Sequence, residues 1–239
     1  MKIKDFFNKV VSKVEDTMFP HYVCPFCKTE TPDGCVCNDC LKLAIQPNYC
    51  AKCSEHIAEG STICIECKDY ERIFDKNISV FNYTDKVALA IQRFKFKQEK
   101  YLAKDFAILL AQKYAQANIS ADIITFVPAS KKRVKERGYN QAEELANELS
   151  KLINIPTLNL LIKTKETVHQ TQLSRKERLQ NLMGSIAVAD KWQIKGKNIL
   201  VIDDVFTTGS TMSTCAKVLK KAGATNVYGL TLAKTAIKN

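Results

Sequence analysis

The chain has 239 residues, 46% hydrophobic and 26% charged, which supports a packed core and excludes a disordered polyelectrolyte. Its 36 Lys+Arg against 25 Asp+Glu leave a net charge of +11, which suits a phosphate-bearing or otherwise anionic partner. No run reaches the roughly 18 apolar residues of a membrane span, and residues 1–16 lack the apolar core of a secretory signal. The sequence therefore predicts a cytosolic protein without a transmembrane segment, drawn to membranes only through partners.

Ile3, Phe6, Phe7, Val10, Val11, Val14 and Met18 recur at helical spacing. They predict an amphipathic helix over 2–17 that packs on protein, so residues 1–19 are expected to form a separate N-terminal segment. Pro20 ends it. Residues 20–72 hold nine of the ten cysteines and carry five Lys/Arg against eight Asp/Glu. The positive charge is thus concentrated in 73–239. There a strand is expected around Ile78, Val80 and Tyr83, then helices over 85–96 and 100–117 and a strand over 123–127 ending at Pro128. A basic run over 131–138 leads into a helix over 140–152. A strand over 159–163, a polar stretch over 164–182, a strand over 199–203, a helix over 210–221 and a strand over 226–233 complete the chain. Alternating strands and helices predict an α/β domain with a mainly parallel sheet.

The cysteines form four Cys-x-x-Cys knuckles: Cys24/Cys27, Cys37/Cys40, Cys50/Cys53 and Cys64/Cys67. Two thiolates in a tight turn reach one Zn²⁺ at about 2.3 Å, and a second knuckle completes the tetrahedron. Eight ligands predict two structural zinc ions in a double ribbon over 20–72. A module this small cannot bury much core, so metal–thiolate bonds are expected to supply its folding free energy. A disulfide framework is disfavoured in a reducing compartment, and a redox pair would need only one knuckle. The even spacing fits either consecutive pairing or a cross-brace; consecutive ribbons are favoured here. Cys35 is spare.

The richest stretch runs from Ile199 to Thr211. An apolar strand carries Asp203 and Asp204 to its C-terminal end, and Thr207, Thr208, Gly209, Ser210 and Thr211 then turn into a helix. Backbone N–H groups at a helix start, helped by hydroxyls, cradle an anion, and glycine lets the main chain approach it closely. The acids suit a ligand that also carries hydroxyls, such as a ribose 5-phosphate. The competing reading is an ordinary strand–turn–helix with polar turn residues.

This stretch resembles the phosphoribosyl-diphosphate (PRPP) loop of type I phosphoribosyltransferases. Val127-Pro128 followed by Arg137-Gly138-Tyr139-Asn140-Gln141-Ala142 resembles the signature of ComF-type (ComFC) late competence proteins. So does the series Thr167, Gln170, Leu173, Arg178 and Asn181, and the four knuckles match that family's double zinc ribbon. The resemblance implies a type I phosphoribosyltransferase-like domain over 73–239, its sheet flanked by helices on both faces. It also implies ribose-hydroxyl contacts from Asp203 and Asp204, a 5′-phosphate on 207–211, and a diphosphate facing Ala129, Ser130 and Lys131. A flap over 165–182 would offer Arg175 and Arg178.

Two functions follow from the resemblance. One is a DNA-uptake protein of natural transformation that binds single-stranded DNA and works with other competence proteins, such as the uptake helicase or translocase. Lys132, Arg133, Lys135 and Arg137 in the basic run, and Lys95 and Lys97 interleaved with Phe94, Phe96 and Tyr101, are its candidate contacts. An equally weighted alternative puts the aromatics in the core and the lysines on a solvated face. The other function is a phosphoribosyltransferase using PRPP and Mg²⁺, with an unnamed nitrogenous base as acceptor.

Overall fold

The computed structural model describes residues 23–31, 36–45, 48–97, 99–165 and 184–236. The helix expected over 2–17, Cys35, and the flap from residue 166 onward lie outside them. The chain divides into two compact units, with the boundary between Lys42 and Leu43.

In the first unit Cys24, Cys27, Cys37 and Cys40 come together. Lys28, in the left-handed region at φ 64°, closes the first knuckle. Cys37 is the N-cap of the short helix α1 (Asn38–Leu41). The second unit opens with a module built the same way. Ser54, at φ 62°, follows Cys53, and Cys64 is the N-cap of α2 (Ile65–Asp69).

The body follows: β1 (Lys76–Asn82), α3 (Asp85–Phe96), α4 (Leu102–Ala115), β2 (Ile123–Phe126), α5 (Lys131–Arg137), α6 (Gln141–Ile153), β3 (Leu161–Lys163), β4 (Ile186–Val188), β5 (Asn198–Phe206), α7 (Ser210–Lys221) and β6 (Asn226–Lys234). Four strands form a parallel sheet in the order β1-β6-β5-β2. Residues 156–158 run beside β2, with Leu158 N–H donating to the Ile124 carbonyl at 2.9 Å. β3 and β4 form a separate antiparallel pair. The fold is the α/β, mainly parallel architecture that the alternating pattern predicts.

β5 reads as a continuous apolar run because it is buried on both faces, as a parallel strand between helices must be. Ile199 and Val201 join a core with Met212, Cys215, Ala216 and Leu219 of α7. Leu200 and Ile202 point the other way, to the face that α4 and α6 cover. α6 shows how local sequence sets that packing. Ala142, Leu145, Ala146 and Leu149 place one stripe in the core, the Asn140 side chain accepts from Ala142 N–H at the start, and left-handed Asn154 ends the helix.

Cys50, Cys53 and Cys64 belong to the same apolar core as Phe206 and the α7 residues. Ser54 Oγ donates to the Asn77 carbonyl at 3.0 Å and accepts from Ser79 N–H at 3.2 Å. The second knuckle module is therefore fused to the body and shares its core.

Candidate phosphate-binding site and thiol clusters

β2 and β5 are parallel neighbours, Phe126 opposite Ile202. The loops that leave their C-terminal ends therefore emerge side by side at one end of the sheet, the usual location of ligand sites in open α/β sheets. One loop carries Ala129, Ser130 and Lys131. Ser130 caps α5, its side chain accepting from Arg133 N–H. The other carries the acid doublet and the threonine-rich turn.

Asp203 and Asp204 lie within β5, which runs three residues beyond the expected end at 203. Asp203 Oδ1 accepts from Asp204 N–H at 2.9 Å. Asp204 Oδ2 lies 2.8 Å from Lys95 Nζ. Burial, and secondarily the charge of Asp204, push the Asp203 carboxyl up to about 7, against the opposing pull of Lys95 and Arg133. The doublet is thus faced by cations from α3 and α5.

The turn is ordered by its own hydroxyls. Thr208 Oγ1 and Ser210 Oγ share a hydrogen bond of 2.8 Å, and Thr214 Oγ1 donates to the Ser210 carbonyl at 2.8 Å. Gly209, at φ 76°, is the N-cap of α7, with Ser210 and Thr211 in the helix's first turn. Asp203, Thr207, Gly209 and Thr211 line one small cleft. A larger cavity of about 520 Å³ opens beside the 128–131 loop, lined also by Asn140, Glu143, Asn159, Ile162 and Lys163.

The Arg137–Ala142 stretch forms the corner between α5 and α6. The Arg137 guanidinium carbon stacks 4.7 Å from the Phe96 ring centroid, and its Nη1 donates to Gln141 Oε1 at 2.9 Å. Tyr139 hydroxyl donates to the Phe94 carbonyl. Asn140 Nδ2 donates to the Val127 carbonyl at 3.1 Å, holding the end of β2. The expected DNA contacts divide here. Lys97, Lys132 and Lys135 are exposed and Arg133 half-buried, whereas Lys95 turns inward to Asp204. Phe94 is core, and Phe96 is 65% exposed. Arg175 and Arg178 lie outside the described residues.

The thiols gather as consecutive pairs of knuckles, and within each group the sulfurs lie within 4.8 Å of one another. Cys27 and Cys37 Sγ are 3.5 Å apart, and Cys53 and Cys64 Sγ 3.6 Å. A tetrahedron with metal–sulfur bonds of about 2.3 Å has edges of roughly 3.8 Å. Both groups fit a closed four-thiolate metal site.

Two residues carry no signal in the sequence yet bear on the site. Arg72 Nη1 donates to the Thr208 carbonyl. Lys234, at the end of β6, pairs with Glu55 Oε2 at 2.7 Å.

A parallel sheet that brings an acid doublet, a threonine-rich turn and a second loop to one end defines a phosphoribosyl transferase domain, and the family model so described matches residues 97–237. The chain is 34% identical over 205 residues to competence protein F of Haemophilus influenzae, covering 82% of this chain and 89% of that protein. It is 29% identical over 218 residues to competence protein ComFC of Bacillus subtilis, covering 85% and 86% respectively. To DNA utilization protein YhgH of Salmonella typhimurium it is 28% identical over 207 residues, covering 84% and 90%. The chain belongs to the competence protein F family.

Proposed function

We propose that this chain acts in DNA uptake during natural transformation. In this reading it binds single-stranded DNA and holds PRPP or a related ribose 5-phosphate at the acid doublet and threonine turn. Two zinc ions hold the knuckle modules, and the protein works in the cytosol beside the machinery that translocates the incoming strand. The names of the relatives, competence protein and DNA utilization protein, supply the process.

The observation that carries the ligand is the convergence of the two loops beside an acid pair faced by Lys95 and Arg133. Asp203 and Asp204 accept hydrogen bonds from the ribose hydroxyls. Thr207 to Thr211 receive the 5′-phosphate on hydroxyls and backbone N–H groups. The 129–131 loop and its basic neighbours face the diphosphate.

The test is calorimetric titration of PRPP with and without Mg²⁺. Wild-type protein is expected to bind, and the double variant Asp203→Ala/Asp204→Ala to lose binding while keeping its circular dichroism. Equal affinity in the two proteins removes the assignment.

A second reading, phosphoribosyl transfer to a nitrogenous base, is favoured by the cavity of about 520 Å³ next to the 128–131 loop. Catalysis would rest on positioning and charge stabilisation of departing diphosphate, with Mg²⁺ held largely by the substrate's own oxygens. Diphosphate release on addition of PRPP and a panel of bases decides it.

A further inference from the structure

Arg72 follows the fourth knuckle. Its side chain is only 4% exposed, and its Nη2 lies 3.6 Å from Glu66 Oε2. Its Nη1 donates to the backbone carbonyl of Thr208. A trans peptide is planar, so the Thr208 carbonyl and the Gly209 N–H point to opposite sides. With the carbonyl turned to Arg72, the N–H is turned away from it, as a donor to an incoming anion requires. The packing is close: a Cβ on Gly209 would stand 2.8 Å from Arg72 Nη1 and 2.6 Å from Phe206 Cζ.

Another pair fastens the same module to the same end of the sheet. Lys234 Nζ, on a side chain 2% exposed, pairs with Glu55 Oε2 at 2.7 Å and lies 5.1 Å from the Phe206 ring centroid. A further bond holds the module toward the opposite end, where Lys52 carbonyl accepts from Asn77 N–H near the start of β1 at 2.8 Å. Glu66, the partner of Arg72, lies in α2 between Cys64 and Cys67. A metal held by Cys50, Cys53, Cys64 and Cys67 would hold α2 in place, and the Glu66–Arg72 pair would carry that constraint to the guanidinium.

We propose that Arg72 is a positioning residue for the threonine turn, and that metal at the second thiol cluster keeps that turn ready for a phosphorylated sugar. The inference rests on the sugar-phosphate reading of the turn. It makes the second knuckle module a working part of the binding site, whereas the first module lies in the other compact unit.

The test has two arms. In the first, Arg72→Met, which keeps an apolar stem and removes every donor, is compared with wild type for metal content and for Mg²⁺-PRPP affinity by calorimetry. The expected result is unchanged metal and affinity about tenfold weaker; unchanged metal with affinity within threefold of wild type overturns the proposal. The second arm serves where that variant fails to fold or hold metal. Wild-type protein is treated with a chelator, and amide hydrogen exchange is followed over 205–212 and over β2. Exchange is expected to accelerate at the turn at least tenfold while β2 stays protected. An unchanged turn, or equal acceleration at β2, overturns it. Wild-type protein that binds no PRPP removes the sugar-phosphate reading instead, and the exchange arm then still reads the coupling between the metal and the turn.

Discussion

Lys95 Nζ lies 2.8 Å from Asp204 Oδ2, with only 20% and 14% of the two side chains exposed. The carboxylate proposed to accept a ribose hydroxyl is therefore already engaged by a cation from the end of α3. A ligand entering here must share or displace that ammonium. Its neighbour Asp203 is left as the carboxyl that burial and the Asp204 charge hold up to about 7.

A pH dependence follows from Asp203. Between its ordinary value of 3.8 and about 7 the folded protein keeps a proton that the unfolded chain has lost. That contribution to stability is full below the lower value and fades as pH rises through the upper one. Binding runs the opposite way, because the ionised carboxylate is the stronger acceptor for the ribose hydroxyls and no longer carries a competing O–H donor. PRPP affinity is expected to rise between pH 6 and 8, and Asp203→Asn to flatten the profile, leaving only the slope from the ligand's phosphate, which ionises near 6. Lys95→Met, by removing a charge that lowers the Asp203 value, is expected to move the midpoint upward. Calorimetry across this range checks both; an Asp203→Asn profile as steep as wild type contradicts the assignment.

Two glycines offer a matched comparison. Gly138, at φ 85°, has open space where a Cβ would go, whereas a Cβ on Gly209 meets Phe206 and Arg72. Gly138→Ala is expected to cost about 1 kcal/mol from backbone strain alone. Gly209→Ala adds a clash with the Phe206 ring and the buried guanidinium, bringing the loss to about 2–4 kcal/mol. Urea unfolding of the two variants measures the difference, and equal losses would show that the packing around Gly209 yields freely.

Much of this was legible in the residues. The helix over 210–221 announces itself through its apolar period, and β5 through an apolar run ending in two acids. The Cys-x-x-Cys spacing marks the two thiols of each knuckle as co-ligands, but which knuckles join is settled only by the fold. The basic run over 131–137 hid a helix, α5, because Val134 is its sole apolar residue; the Ser130 cap and left-handed Gly138 were the readable signs. β4, at three residues, is too short to show a period. Phe94 and Phe96 look alike in sequence, yet one lies in the core and the other on the surface. No local pattern marks Arg72, whose partner Thr208 lies 136 residues away.

The two thiol clusters are expected to respond differently to loss of a ligand. Cys53 sits in the core that also holds Phe206 and Met212, so Cys53→Ser should release one metal and lower the main unfolding transition by several degrees, for a loss of about 2–4 kcal/mol. Cys24→Ser should also release one metal while leaving that transition in place, since its cluster belongs to the first compact unit. Metal analysis paired with differential scanning calorimetry tests this. A main transition lowered equally by both substitutions contradicts the division.

The proposed single-stranded DNA contact can be tested at named side chains. Phe96 and Tyr101 are 65% and 60% exposed, the Phe96 ring carries Arg137 at 4.7 Å, and Lys97, Lys132 and Lys135 are exposed. The exposed aromatics are candidate stacking surfaces for bases, and the exposed lysines are candidate phosphate contacts. Phe96→Ala is expected to weaken single-stranded DNA binding by about 1–3 kcal/mol with little loss of stability, because the ring is outside the core. Replacing Lys97, Lys132 and Lys135 with Gln should make the slope of log affinity on log salt shallower by roughly 0.7 for each phosphate no longer neutralised. Fluorescence anisotropy with a labelled oligothymidine at several salt concentrations separates the two effects: the aromatic change shifts the line and the lysine changes tilt it. Wild-type affinity in Phe96→Ala, together with an unaltered slope in the lysine variant, would remove these residues from the proposed DNA contact.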